Sequence, residues 1–426
     1  MKKIGLFLFG ICFALQMVAQ EQNYFTNPVI RGDVPDPSVI RIEDTYYATG
    51  TSSEWAPFYP MFTSKDLVNW KQVGHVFTKQ PSWTSNSFWA PELFYHNNKV
   101  YCYYTARQKS TGISYIGVAT SDSPLHEFTD HGPIVEYGKE AIDAFIYDDN
   151  GQLYISWKAY GLDTRPIELL GCKLSADGLH LDGEPFTLLV DEKGIGMEGQ
   201  YHFKEGDYYY IVYAAHGCCG PSSDYDVYIA RARNYGGPYE KYSGNPILHG
   251  GEGDYKSCGH GTVVRTSDGR MFYMCHAYLK GDGFFIGRQP ILQEMEMTDD
   301  HWVRFKTGNL AIAEQPIPFV GTKQEPLSDF EDNFKGNQLK VDWTWNYPYS
   351  DIHAVLKKGK LFLSGTPKNN NKYGTALCLR PQSPQYSCET KVINTGKGLK
   401  GLTLYGDDKN LIAWGIEGDK LILKVV

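Results

Sequence analysis

Three carboxylates stand at matched places in this chain, and their spacing is the first hint of chemistry. Asp36 lies between two prolines in "RGDVPDPSVI", Asp143 opens "DAFIYDDNGQLYISWKAY", and Glu198 opens "EGQYHFKEGDYYYIVYAA". Each precedes the same layout: an apolar strand, a tight turn, then an aromatic-rich strand. Carboxylates brought to one point repel one another and change each other's proton affinity, which is how proton-transfer sites are built. Any one of them alone reads as the polar start of a strand, since Asp and Pro are common turn formers. Three at matched positions ask for more than that.

The elements that would position them repeat along the chain. The same layout recurs in "APELFYHNNKVYCYYTA" from Ala90, with Trp89 just ahead, and in "HGTVVRTSDGRMFYMCHA" from His260. The five starts are roughly fifty to sixty residues apart, a propeller-like or kelch-like period. Each unit turns on hairpin residues: Glu43-Asp44, Asn97-Asn98, Asn150-Gly151, Glu205-Gly206 and Asp268-Gly269. Helical periodicity is nearly absent, and further strand-like pieces give each unit room for about four strands. This predicts an all-β chain, a five-bladed β-propeller over residues 24–320. First strands of propeller blades line one channel and run the same way. Asp36, Asp143, Glu198 and His260 are therefore expected at one mouth.

Bulk properties agree and exclude other classes. The 426 residues are 21% charged and 14% aromatic, with 31 tyrosines, 44 glycines and a formal charge of −8. That is a globular, turn-rich composition with no basic face for nucleic acid. It suits a neutral ring-shaped ligand such as a sugar. Residues 1–20, with Lys2 and Lys3 before an apolar run ending near Ala19, read as an export signal too short to span a bilayer. No later segment reads as transmembrane, so a periplasmic or secreted protein is expected. Beyond Cys12 there are eight cysteines, without metal-binding spacing. Adjacent Cys218 and Cys219 favour free or separately paired thiols, with a vicinal disulfide as the other arrangement.

The motifs "VPDPSVI", "SKDLVNW", "FWAPEL", "AIDAFIYDDNGQLYISW" and "GMEGQY", in this order, make the chain resemble glycoside hydrolase family 43 over about residues 27–320. The resemblance implies an inverting hydrolase of xylose- or arabinose-containing glycans. It implies Asp36 as the base that activates water, Glu198 as the acid, and Asp143 as the neighbour that raises the acid's proton affinity. The order of the units agrees. Units one and four face each other across a five-membered ring, while three adjoins four, and inversion needs a base and an acid on opposite sides of the sugar. The resemblance also places Arg288 in "FFIGRQPIL" near the substrate and His260 near a central ion or water site. No catalytic cofactor is implied, and a structural calcium in the channel is the one metal it suggests.

Remaining side chains are read one at a time. Trp89, Trp55 and Phe58 are candidate stacking faces for a sugar ring. Glu92 reads as a supporting carboxylate, Asp33 as a turn residue, and "DDNG" at Asp148 as a hairpin turn that lacks the closing Glu of a calcium loop. Near residue 320 the repeat stops, and residues 327–426 read as a β-sandwich-like module, either compact or cut short. The expected activity is removal of terminal α-L-arabinofuranosyl or β-D-xylosyl residues from an oligosaccharide or polysaccharide. A retaining propeller glycosidase and a non-catalytic glycan binder are the rival readings.

Overall fold

Alternating apolar strands joined by turns rich in Asn, Asp and Gly give five four-stranded antiparallel sheets in chain order among the described residues. The computed structural model of the chain describes residues 23–160, 166–394 and 396–426; the export signal expected over 1–20 lies outside them. The first strands of the sheets are Ser38–Ile42, Trp89–His96, Ala141–Asp149, Met197–Glu205 and Tyr255–Arg265. Each is paired with the next strand through a short hairpin. Asn97 and Asn98 both take positive φ, 50° and 59°, as do Asn150 and Gly151 at 56° and 93°, the twist a two-residue hairpin needs. The fourth turn falls one residue later than expected, on Gly206-Asp207, because Glu205 still pairs with Tyr208.

The five first strands touch in order, and the fifth touches the first. They close a ring. Between each adjacent pair of sheets lies one apolar cluster. Phe58, Phe88 and Tyr104 fill the gap between sheets one and two, and Trp157 with Tyr103 the gap between two and three. Leu169 meets Ile211 between three and four, and Tyr210 meets Tyr273 between four and five. Val39 and Phe62 meet Phe272 and Met274 where five returns to one. Full burial of side chains of this size contributes about 1.5–3 kcal/mol each, so truncating Trp157 to Ala would cost about 3–5 kcal/mol. Closure is reinforced where Tyr24–Thr26 pairs with Glu314–Pro316 and where the Asn27 side chain bonds both N–H and C=O of Leu292.

Beyond the ring, strands Ser350–Leu356 and Leu361–Pro367 form one small sheet, and Lys400–Tyr405, Leu411–Glu417 and Lys420–Val425 another. Trp345–Asn346 pairs with Trp55–Ala56 of the ring. The Tyr347 ring stands edge-on to Phe58 and Phe88, anchoring this C-terminal β module in the core of sheets one and two. Among the described residues no helix is long and apolar enough to cross a membrane.

Candidate active site

One backbone feature recurs in or just ahead of all five first strands. Asp36, Ala90, Asp143, Gly199 and His260 adopt positive φ, at 54°, 36°, 59°, 61° and 45°. In sheets two to five the ladder slips there, between Trp89 and Glu92, Ile142 and Phe145, Glu198 and Tyr201, and Gly259 and Gly261. Such a bulge re-aims a side chain out of the sheet. For residues other than glycine the conformation costs about 1–3 kcal/mol and must be held by its surroundings. The fourth position is glycine, and a Cβ on Gly199 would overlap the His260 ring.

The N–H groups freed by the bulges are held by neighbouring sheets. Thr51 Oγ1 accepts from Ala90 N, Thr105 Oγ1 from Asp143 N, Asp143 Oδ2 from Gly199 N, and His276 Nδ1 from Asp36 N. Each partner comes from the preceding sheet in the ring. The strained residues are therefore fixed to one another as well as to their own strands.

Asp36 is buried and crowded by donors. Thr51 Oγ1 donates to its Oδ2 at 2.6 Å, while Arg288 Nη1 and His260 Nδ1 approach Oδ1 at 3.5 and 3.4 Å. Burial pushes its carboxyl up, but the Arg288 guanidinium, aided by His260 and His276, holds it well below the usual carboxylate range. Burial also lowers His276 to about 4. Its Nδ1 lies 3.1 Å from both Asp36 N and Asp36 Oδ1.

Asp143 and Glu198 form the other half of the site. Lys158 Nζ donates to Glu198 Oε2 at 2.6 Å and the Tyr225 hydroxyl to Oε1 at 2.9 Å. Burial opposes ionisation of Glu198, yet Lys158 and then Tyr225 keep its carboxyl below its ordinary value. Asp143 goes the other way: burial and the Glu198 charge raise it to about 7 against the pull of His260. The pair thus retains one proton near neutral pH. Coulombic coupling is reciprocal, so each of these two carboxylates raises the proton affinity of the other, while Lys158 lowers that of both.

The other expected residues divide. His260 Nδ1 lies between Asp36 and Asp143, 3.9 Å from Asp143 Oδ2, and Arg288 sits on Asp36. Trp89 heads the second first strand, half-buried under the Arg107 guanidinium at 5.9 Å. Trp55 stands edge-on to Tyr405 of the C-terminal module at 6.1 Å. Phe58 is 2% exposed and stacked on Phe88 at 4.1 Å, so its ring face is spent in the core and unavailable to a sugar. Glu92 lies on the second first strand, and burial pushes its carboxyl up to about 8. Asp148 caps its hairpin by accepting from Gly151 N. Among the described residues no group of three or more His, Cys, Asp or Glu side chains is disposed to hold a metal.

The comparisons with known proteins agree with this layout. Residues 25–303 match Glycosyl hydrolases family 43, and residues 331–426 match the β-xylosidase C-terminal concanavalin A-like domain. The chain belongs to glycosyl hydrolases family 43. It is a glycoside hydrolase. A xylan 1,3-β-xylosidase of a Vibrio species is 28% identical over 89% of this chain and 76% of that protein. A non-reducing end α-L-arabinofuranosidase of Bacteroides ovatus is 28% identical over 96% of this chain and 78% of its own. Among solved structures, Bacteroides ovatus xyloglucan PUL GH43B superposes with a TM-score of 0.76 at 22% identity, covering 95% of this chain and 85% of that one. A GH43_12 protein from a capybara gut metagenome gives 0.77 at 22%, with 96% and 81% covered; these two likenesses concern the fold.

Several side chains of this family-43 site escaped the sequence reading. Lys158 and His276 are polar residues inside otherwise apolar strands, "LYISWKA" and "FYMCHAYL", a break in pattern that marks them. Thr51 and Tyr225 lie in loops and carry no such mark. Asp33 is more than a turn residue: its Oδ1 accepts from Arg288 N at 2.8 Å, and a Cβ on Gly287 (φ 86°) would overlap it. The cysteine expectation is also corrected. Cys218 and Cys219 form a vicinal disulfide in the loop before Tyr225, where Gly220 N donates to the Tyr278 hydroxyl.

Proposed function

We propose that this glycoside hydrolase removes terminal α-L-arabinofuranosyl or β-D-xylosyl residues with inversion, using Asp36 as base and Glu198 as acid. The carrying observation is the opposed electrostatics of two groups in one mouth: an Asp36 carboxylate held ionised by Arg288, and an Asp143–Glu198 pair that keeps a proton near neutral pH. On this reading Glu198 gives a proton to the glycosidic oxygen as the C–O bond breaks. Asp36 takes one from the water that attacks the opposite face of the anomeric carbon. Asp143 holds the proton available to Glu198, and the ionised Asp36 also favours positive charge developing on the sugar. Trp89, Arg288 and His260 line the approach, where a planar guanidinium can bind sugar hydroxyls.

The frame we infer is a five-bladed β-propeller over residues 24–320 with a β-sandwich over 327–426, exported through residues 1–20. The substrate class rests on the relatives' activities, β-xylosidase and α-L-arabinofuranosidase. Hydrolysis of p-nitrophenyl α-L-arabinofuranoside and β-D-xyloside side by side tests it. Release of nitrophenol from at least one is expected; turnover of neither, with activity on a hexoside, would overturn the substrate assignment.

A further inference from the structure

Lys158 is a lysine within the otherwise largely apolar strand Gln152–Ala159. It stands near the end of the second strand of sheet three, paired with Ile142 and Leu169. Its side chain is 2% exposed, and its Nζ crosses to sheet four to reach Glu198 Oε2. Removing an ammonium from water costs several kcal/mol, and replacing a buried ion pair by apolar residues is often neutral or stabilising. Stability therefore gives a weak reason for Lys158 to be there. The bland reading, neutralisation of a buried glutamate, leaves unexplained why the glutamate itself is placed in the mouth.

The partners of Glu198 narrow the role. Oε2 faces Lys158 and Oε1 faces Tyr225, whose ring stacks on His276 at 5.5 Å. Asp143 from the third first strand and His260 from the fifth are its other charged or titratable neighbours, and Glu140 also acts on Lys158. Both oxygens of the carboxylate are thus met by donors. This is an environment built for the anion, which is the form of Glu198 after it has given up its proton.

We propose that Lys158 is a positioning residue that sets the acid strength of Glu198, by stabilising the carboxylate formed as the glycosidic bond breaks. The inference rests on the reading of Glu198 as the acid. In that step the bonding pair of the C–O bond goes to the leaving oxygen, the Glu198 proton follows it, and Lys158 keeps its own protons. The new anion appears against a preset positive charge, an interaction stronger in the transition state than in the protonated ground state. Lys158 and Asp143 then act in opposite senses: Asp143 retains a proton at the pair, and Lys158 makes Glu198 ready to release it.

The test is Lys158→Met on aryl glycosides running from dinitrophenyl, which needs no acid, to phenyl, which does. With dinitrophenyl as leaving group kcat should stay within about threefold of wild type, while with phenyl it should fall about 30- to 100-fold, up to the lower end of the range for loss of a general acid because Lys158 acts only through Glu198. The basic limb of the pH profile should move upward by about one unit or more. Lys158→Gln, polar but uncharged, should show the same steepening, and Lys158→Arg should restore the wild-type pattern. Equal losses on all leaving groups, or an unmoved basic limb, would overturn the role of Lys158. Glu198→Gln separates the two readings. If it steepens the leaving-group dependence and adding Lys158→Met changes nothing further, both stand; if it leaves the dependence flat, the acid assignment itself has failed. The double variant buries no unpaired charge, so it supplies this comparison even where Lys158→Met alone does not fold.

Discussion

Arg288 and Asp36 meet at 3.5 Å, Nη1 to Oδ1, across the seam where sheet five closes on sheet one. The contact joins residues 252 positions apart in the chain, so the electrostatics of Asp36 depend on closure of the ring. Asp36 is ionised because of where Arg288 is held, and Arg288 is held by its backbone bond to Asp33.

Asp36→Asn keeps the shape of the site but cannot take a proton from water. We expect kcat to fall about 100- to 10,000-fold, the usual range for loss of a general base, with KM changed much less. Steady-state kinetics on an aryl glycoside measure this. A loss below tenfold would remove Asp36 from the role of base.

The pH profile follows from the two halves of the site. The Asp143–Glu198 pair must hold a proton to be active, and Asp143 is raised to about 7. kcat/KM should therefore fall as pH rises through about 7, while Asp36, held below the usual range, keeps the base ionised well into acid. The stability signs are opposite. Asp36, depressed on folding, contributes stability above its unfolded value of about 3.9 that is lost as pH falls. Asp143, raised on folding, is a liability that grows between about pH 4 and 7 as the unfolded chain releases a proton the folded chain retains. The decline in melting temperature between pH 5 and pH 8 should accordingly be smaller in Asp143→Asn than in wild type. An equal decline in both would contradict the raised proton affinity.

Gly287 lets Asp33 approach the Arg288 backbone. In Gly287→Ala the new methyl overlaps Asp33 and the left-handed backbone is strained by about 1 kcal/mol. We expect kcat/KM to drop about 10- to 100-fold as Arg288 shifts, an effect of about 1.4–2.7 kcal/mol, with a modest loss of melting temperature. Full activity would show that Asp33 does not position Arg288.

What could be read from the residues alone follows a physical division. Hairpins such as Asn97-Asn98 and Asn150-Gly151 were legible because their left-handed turns need those residues locally. Asp36 and Asp143 were legible because the repeat placed them at equivalent starts, and Glu198 because it immediately precedes the equivalent Gly199. The charge balance around Glu198 was not, because it depends on Lys158, contributed by a neighbouring sheet, and on Tyr225, which lies at the end of a loop. Phe58 looked like a sugar platform, yet packing against Phe88 and Tyr347 decides its fate. Adjacent Cys218 and Cys219 could not be paired by spacing, since bridging depends on the conformation of their loop.

Inversion is the central claim, and the anomer first released reports on it directly. Proton NMR of fresh product, recorded before mutarotation, should show β-L-arabinose from an α-L-arabinofuranoside or α-D-xylose from a β-D-xyloside. Appearance of the substrate's own anomer first would mean a covalent intermediate on one carboxylate and would contradict the pairing of Asp36 as base with Glu198 as acid.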